Sequence, residues 1–254
     1  MLGRVIVASL SSVALIALAL DGLVFAADRP VYKAPPMEPT YNWTGFYLGG
    51  HLGWGAVDQD TTLLVSSAGV PILPPGTVIN GDASSFIGGS QIGYNWQTNK
   101  WVFGVEGDFS WAGANSSVTT AGTLVANSFR IQNMNSHWYT ALTGRIGYAW
   151  DNWLLYGKGG AAWMNASNSA SVNVAGVVTT FPEVTDTRGG WTLGVGIEQA
   201  IWNSWSWKLE YDYMAFGTRR YSFLDTTGTI TNMVDINTNV NAVKVGLNYR
   251  WGAR

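Results

Sequence analysis

In eight stretches of this chain, large apolar side chains alternate residue by residue with polar ones, and every charge in those stretches falls on the same alternate face. The stretch "WVFGVEGDFSW" at 101–111 shows the rule: Trp101, Phe103, Val105, Phe109 and Trp111 have one parity, Glu106 and Asp108 the other. A period of two is that of an extended strand, whose successive side chains point to opposite faces. The alternation spans roughly 43–57, 84–96, 101–112, 136–150, 153–164, 190–201, 205–216 and 239–251. Each is about the 9–11 residues, or slightly more, that a tilted strand needs to cross a bilayer. The connections alternate too. "QTNK" (97–100), "DN" (151–152) and "WNS" (202–204) are short and made of turn formers, while the other gaps run to about twenty residues or more of Ser, Thr, Asn and Gly. The expected fold is all-β: an eight-stranded antiparallel up-and-down barrel with short turns at one end and long loops at the other.

Alternation alone does not say which face looks outward. A soluble β-sandwich or lipocalin-like barrel points its polar face at water, whereas a membrane barrel turns it inward. Charged residues are 12% of the chain, against about 25% in a typical soluble domain. The tryptophans decide the matter, because all 14 lie near the ends of the alternating stretches or in the turns between them. Indole rings favour both membrane–water interfaces, and a soluble core has no reason to push them to two rims. Trp54, Trp96, Trp101, Trp111, Trp138, Trp150, Trp153, Trp163, Trp191, Trp207 and Trp251 are therefore expected to form two interfacial belts, with Trp43, Trp202 and Trp205 also at the short-turn end.

With the belts outward, the opposite face carries Glu106, Asp108, Arg145, Lys158, Glu198, Lys208, Glu210, Asp212, Lys244 and Arg250. A charge on the lipid side at the midplane costs about 2–4 kcal/mol, so lipid exposure demands this segregation. The interior of an eight-stranded barrel is just wide enough to be filled by side chains. The ten groups are expected to form a lumenal salt-bridge network; the alternative is that some of them line an ion or solute path.

Outside the strands, residues 1–26 have the form of an export signal: Arg4, an apolar run from Val5 to Leu20, and Val24-Phe25-Ala26 before the cleavage point. Residues 27–42, proline-rich, read as an extended periplasmic leader, and 43–254 as the barrel. With no cysteine there is no disulfide framework or thiolate metal site. A net charge of −2 without clustered Lys and Arg gives no footprint for nucleic acid.

The segment "YNWTGFYLGGHLGWG" at 41–55 resembles the opening of the opacity-protein-like or outer-membrane immunogenic proteins, small Gram-negative barrels often filed as "porin family". "GGSQIGYNWQ" (88–97), "WVFGVEGDFSW" (101–111), "LTGRIGYAWDNWLLYGKGGAAW" (142–163), "WTLGVGIEQAI" (191–201) and "WKLEYDYMAFG" (207–217) extend the likeness over all eight stretches. The resemblance implies an outer-membrane location, periplasmic termini, variable surface loops, handling by the barrel assembly machinery, and roles in envelope integrity, surface recognition or limited diffusion. It supplies no catalytic residue. Such barrels usually end on an aromatic residue; here Gly252, Ala253 and Arg254 follow Trp251, which puts assembly efficiency in question.

Some small barrels edit lipids, and the two histidines are the candidate bases for such chemistry. The residues two positions from His51 are Gly49 and Gly53, and from His137 are Asn135 and Tyr139, so neither has a serine beside it on its own face. His51 is expected to be a packed lumenal residue, and no metal or cofactor site is expected. Arg219 and Arg220, at the outer end of the seventh stretch, are candidates for lipopolysaccharide phosphates by arginine's bidentate geometry. The sequence thus points to a non-enzymatic outer-membrane barrel with a structural and surface-interaction role, surrounded by lipid and lipopolysaccharide and presenting its loops to an extracellular ligand. A narrow channel for small solutes is the alternative, and a lipid-modifying enzyme a more distant one.

Overall fold

The computed structural model describes residues 41–66, 73–224 and 230–252. The expected export signal and most of the leader lie outside these residues, as do Ala253 and Arg254. Eight strands follow in chain order: β1 (Gly45–Ser66), β2 (Val78–Thr98), β3 (Trp101–Ala121), β4 (Ser128–Trp150), β5 (Trp153–Val174), β6 (Val177–Trp202), β7 (Trp205–Leu224) and β8 (Ile230–Trp251). Each pairs antiparallel with its sequence neighbour, and β8 closes on β1, with Phe46 opposite Trp251 and Trp54 opposite Val243. At one end the turns are tight. Asn99 and Asp151 take left-handed φ values of 54° and 49° there, a conformation Asn and Asp tolerate better than most residues.

The strands are longer than the alternation indicated, at 20 to 26 residues. At about 3.3 Å per residue and a tilt near 40°, they reach roughly 50–65 Å along the axis, about twice the apolar band of a membrane barrel. Much of the length expected to be long loops is therefore paired strand. β5 and β6 run on to a two-residue turn at Ala175–Gly176, where Val174 pairs with Val177. These extensions are mostly Ser, Thr, Asn and Val, which pair well as strands but lack the hydrophobic contrast that marks a strand in sequence.

Above the band the wall is not continuous. Pairing between β2 and β3 ends at Ile87 opposite Ala112, and between β6 and β7 at Trp191 opposite Ala215. The outer part is consequently two four-stranded sheets, β7-β8-β1-β2 and β3-β4-β5-β6. Leu63, Ile79, Tyr221, Val234 and Ile236 of the first pack in one cluster with Ala170 and Phe181 of the second, and Leu73 from the β1–β2 connection joins them.

Candidate functional site

The inward positions of the barrel are layered, and the layering can be read along single strands. On β3 the inward residues run Val102, Gly104, Glu106, Asp108, Ser110, Ala112, Ala114, passing from apolar to charged and back. On β5 they run Leu154, Tyr156, Lys158, then Ala162 and Met164. Around the ring, Trp43, Val102, Ala149, Leu154, Tyr156 and Ala200 form the layer at the tight-turn end. Val57, Ile87, Met134, Tyr139, Met164, Met214 and Val240 belong to the layer above the charges.

Between these layers the structure brings together all ten charged residues singled out from the sequence. Glu106 lies 3.6 Å from Arg145, 3.4 Å from Lys158 and 3.4 Å from Lys208. Glu210 lies 2.7 Å from Lys158, 3.1 Å from Lys208 and 3.7 Å from Lys244. Asp108 and Asp212 share the same two ammonium groups: Asp108 at 3.7 Å from Lys158 and 3.3 Å from Lys244, Asp212 at 3.2 Å and 2.6 Å. Glu198 joins Arg145 at 3.5 Å to Arg250 at 3.2 Å, and also accepts from Ser206 and Asn248. Tyr47 donates to Glu106 at 2.8 Å and Tyr156 to Glu210 at 2.7 Å, and the Arg145 guanidinium lies 4.6 Å from the Tyr47 ring centroid and 5.1 Å from that of Tyr156. None of the ten residues is more than 5% exposed, and their formal charges cancel.

Glycine makes this crowding possible. A Cβ at Gly194 would run into the Asp212 carboxylate, and one at Gly93 into the Tyr47 hydroxyl. The inward glycines hold the space that the long charged side chains occupy.

A tryptophan completes the lower end. Trp43 precedes β1 and is fully buried, with the Arg250 guanidinium 4.8 Å from its ring and donating to its carbonyl oxygen. It is at the expected end of the barrel but faces the lumen, not the lipid. Its parity is that of Tyr47, an inward residue, which is the signal in the sequence that separates it from the belts. The other tryptophans of the expected belts face outward: Trp54, Trp96, Trp101, Trp111, Trp150, Trp163, Trp191 and Trp251 are exposed, while Trp138, Trp153 and Trp207 are half-buried against ring neighbours or a side-chain amide.

The histidines have serine partners after all, supplied by other strands. His51 Nε2 lies 2.8 Å from Ser110 Oγ on β3, and its Nδ1 lies 2.6 Å from Gln91 Oε1 on β2. Register explains the reach: His51 is opposite Gly89, and Gly89 is opposite Ser110, so the imidazole crosses a residue with no side chain. His137 sits at a bulge between Ser136 and Trp138, exposed, with Nε2 3.1 Å from Ser167 Oγ on β5. A search along each histidine's own strand cannot find such partners. At the outer end, Arg219 pairs with Asp186 at 3.0 Å, and Arg220 makes a two-pronged pair with Asp235 at 2.8 and 2.9 Å. A lipopolysaccharide phosphate would have to share or displace these carboxylates.

A closed meander of eight tilted strands, apolar and aromatic outside and charged within, defines an outer-membrane β-barrel. The chain belongs to the outer membrane protein beta-barrel domain family, whose model matches residues 8–250. It is 31% identical to the 31 kDa outer-membrane immunogenic protein of Brucella melitensis biotype 1, over 97% of this chain and 99% of that protein. It is 28% identical to the 22 kDa outer membrane protein of Rhizobium leguminosarum bv. viciae, over 85% and 82% of the two chains. Among solved structures it is similar to the outer membrane protein OprG of Pseudomonas aeruginosa, at 14% identity and a TM-score of 0.48, over 82% of this chain and 97% of that one. Its place is the outer membrane.

Proposed function

We propose that this protein is a non-catalytic, closed-lumen component of the outer membrane, contributing to envelope structure and offering its outer hairpins as an interaction surface. The observation that carries the proposal is the sequence of layers across the lumen. A neutral ion-pair network lies between an apolar layer containing Trp43 and Leu154 and another containing Ile87, Met164 and Met214. An ion crossing this stack would lose its water at each apolar layer, and at the charged layer it would compete with groups already paired. The same enclosure supports a packing role for the His51–Ser110 contact, since both residues are buried and Ile87 and Ala112 belong to the layer above. The outer hairpins, beyond the lipid and in two sheets packed on each other, are the surface left for recognition.

Planar-bilayer recording from the refolded protein tests the proposal. Silent membranes are expected; steady, reproducible conductance steps would overturn the closed lumen and favour the solute channel. Unchanged envelope lipids in a deletion strain are expected, and the loss of one specific modification would establish lipid chemistry instead.

A further inference from the structure

Where the pairing of β6 and β7 stops, both strands continue, β6 back toward Val177 and β7 on toward Leu224. Arg188 lies three residues beyond the last paired position of β6 and points inward. It is 3% exposed; its Nη1 donates to Thr238 Oγ1 at 2.7 Å, its guanidinium lies 5.3 Å from the Tyr221 ring centroid, and its Nε has no hydrogen-bond partner. Among the described residues the ion pairs of this region are Arg219–Asp186 and Arg220–Asp235, and neither involves Arg188. A guanidinium buried without a carboxylate is costly unless something else meets its charge.

Arg219 shows how the outside reaches this place. Its cross-strand partner is Ile236, a buried residue, so Arg219 stands on the inner face of its sheet, yet its side chain is 52% exposed. Solvent therefore enters the seam at this level. Asp186 Oδ2, on the opposite edge, accepts from Arg219 at 3.0 Å and from the Tyr221 hydroxyl at 2.9 Å. One carboxylate oxygen already sits between donors there, and two guanidiniums against one carboxylate leave the cluster with one positive charge.

We infer that the seam between β6 and β7 is a binding site for a phosphate-like oxyanion, which takes the place of the Asp186 carboxylate on Arg219 and the Tyr221 hydroxyl and meets the charge of Arg188. Two guanidiniums suit a group with several equivalent oxygens. The height of the site narrows the source. Gly189 pairs with Trp163, and Trp191 follows on the same strand, so Arg188 stands just above the outer tryptophans. Interfacial tryptophans mark the headgroup level, where the phosphates of the outer leaflet lie. The ligand is a phosphate carried by an outer-leaflet lipid or the same group free in solution. Arg220 takes no part, because it pairs with Asp235 on the outer face of the sheet.

The test uses the refolded full chain, first in neutral detergent with inorganic phosphate followed by ³¹P line broadening, then in phosphatidylcholine vesicles with and without lipopolysaccharide. Saturable binding is expected in at least one arm, weakened about tenfold or more in Arg219→Gln and Arg188→Gln and changed by less than about twofold in Arg220→Gln. Arg219 is exposed, so Arg219→Gln decides the matter even if Arg188→Gln does not fold. Preference for lipopolysaccharide that disappears when its phosphates are removed identifies the lipid source; equal binding of inorganic phosphate identifies a solute. Absence of saturable binding in both arms, or equal losses in Arg219→Gln and Arg220→Gln, overturns the site. Neither result bears on the closed lumen, which rests on the layers below.

Discussion

Replacing Glu210 by Gln removes one negative charge from the lumen while keeping the shape of the side chain. Glu210 faces three ammonium groups, Lys158, Lys208 and Lys244, at 2.7, 3.1 and 3.7 Å, and accepts from Tyr156 at 2.7 Å. The amide oxygen of Gln can still accept from Tyr156, but its NH₂ group meets ammonium groups, and the network changes from neutral to a net charge of +1. Breaking a buried pair by removing one partner costs about 3–5 kcal/mol, because the partner stays buried and uncompensated. Lys208 provides the control, since its ion pairs are with Glu106 and Glu210. The double variant Glu210→Gln with Lys208→Met restores neutrality, so it is expected to recover more than half of the Glu210→Gln loss, a gain of about 2 kcal/mol over that single variant. Urea unfolding in phospholipid vesicles, followed by tryptophan fluorescence and by heat-modifiable gel migration, measures both. A loss below about 1 kcal/mol for Glu210→Gln, or a double variant as unstable as the sum of the singles, refutes the view that these charges are held as one neutral set.

Three further outcomes are expected. Gly194→Ala should cost about 1–3 kcal/mol by pushing the Asp212 carboxylate from its place, whereas Gly144→Ala, whose new methyl meets nothing within 4 Å, should stay within about 0.5 kcal/mol; equal unfolding midpoints for the two variants would contradict the packing argument. Ala175 holds a φ of 49° in the β5–β6 turn, so Ala175→Asn should stabilise the hairpin by about 0.5–1 kcal/mol, and a lower midpoint would count against the turn. The hydrogen bonds from Arg220 hold the Asp235 carboxyl below its ordinary value of 3.8, so the pair's contribution is present above that pH and lost as pH falls through the lowered value; a carboxyl NMR titration should show a low midpoint that rises in Arg220→Gln, and a wild-type midpoint at 3.8 or above would refute it.

The sequence disclosed which face each residue of the membrane band takes, because a period of two and the cost of a charge in lipid leave one solution. Glu106 and Lys244 are 138 positions apart, yet parity alone puts both in the lumen. Which charge meets which was not legible, since pairing across the lumen depends on shear and register, and neither is written in a strand's own pattern. The His51–Ser110 contact was missed for the same reason. The outer hairpins were read as loops because Ser, Thr and Asn on both faces erase the contrast on which alternation depends. Trp43 was placed by its nearness to the turns, although its parity pointed inward.

The division of the outer wall into two sheets matters for how this surface can change. In a closed ring, adding a residue to one strand obliges its neighbours to slide, and the slide passes around the circumference. Above Ile87 and Trp191 that chain of obligations is cut at two places. A hairpin in one sheet can lengthen or shorten at its tip without a slide of strands in the other, which it meets through side chains alone, and the ring below keeps its shear. The outward-facing half of the molecule is thereby free to vary in units of two hairpins, while the half in the membrane is held to one geometry.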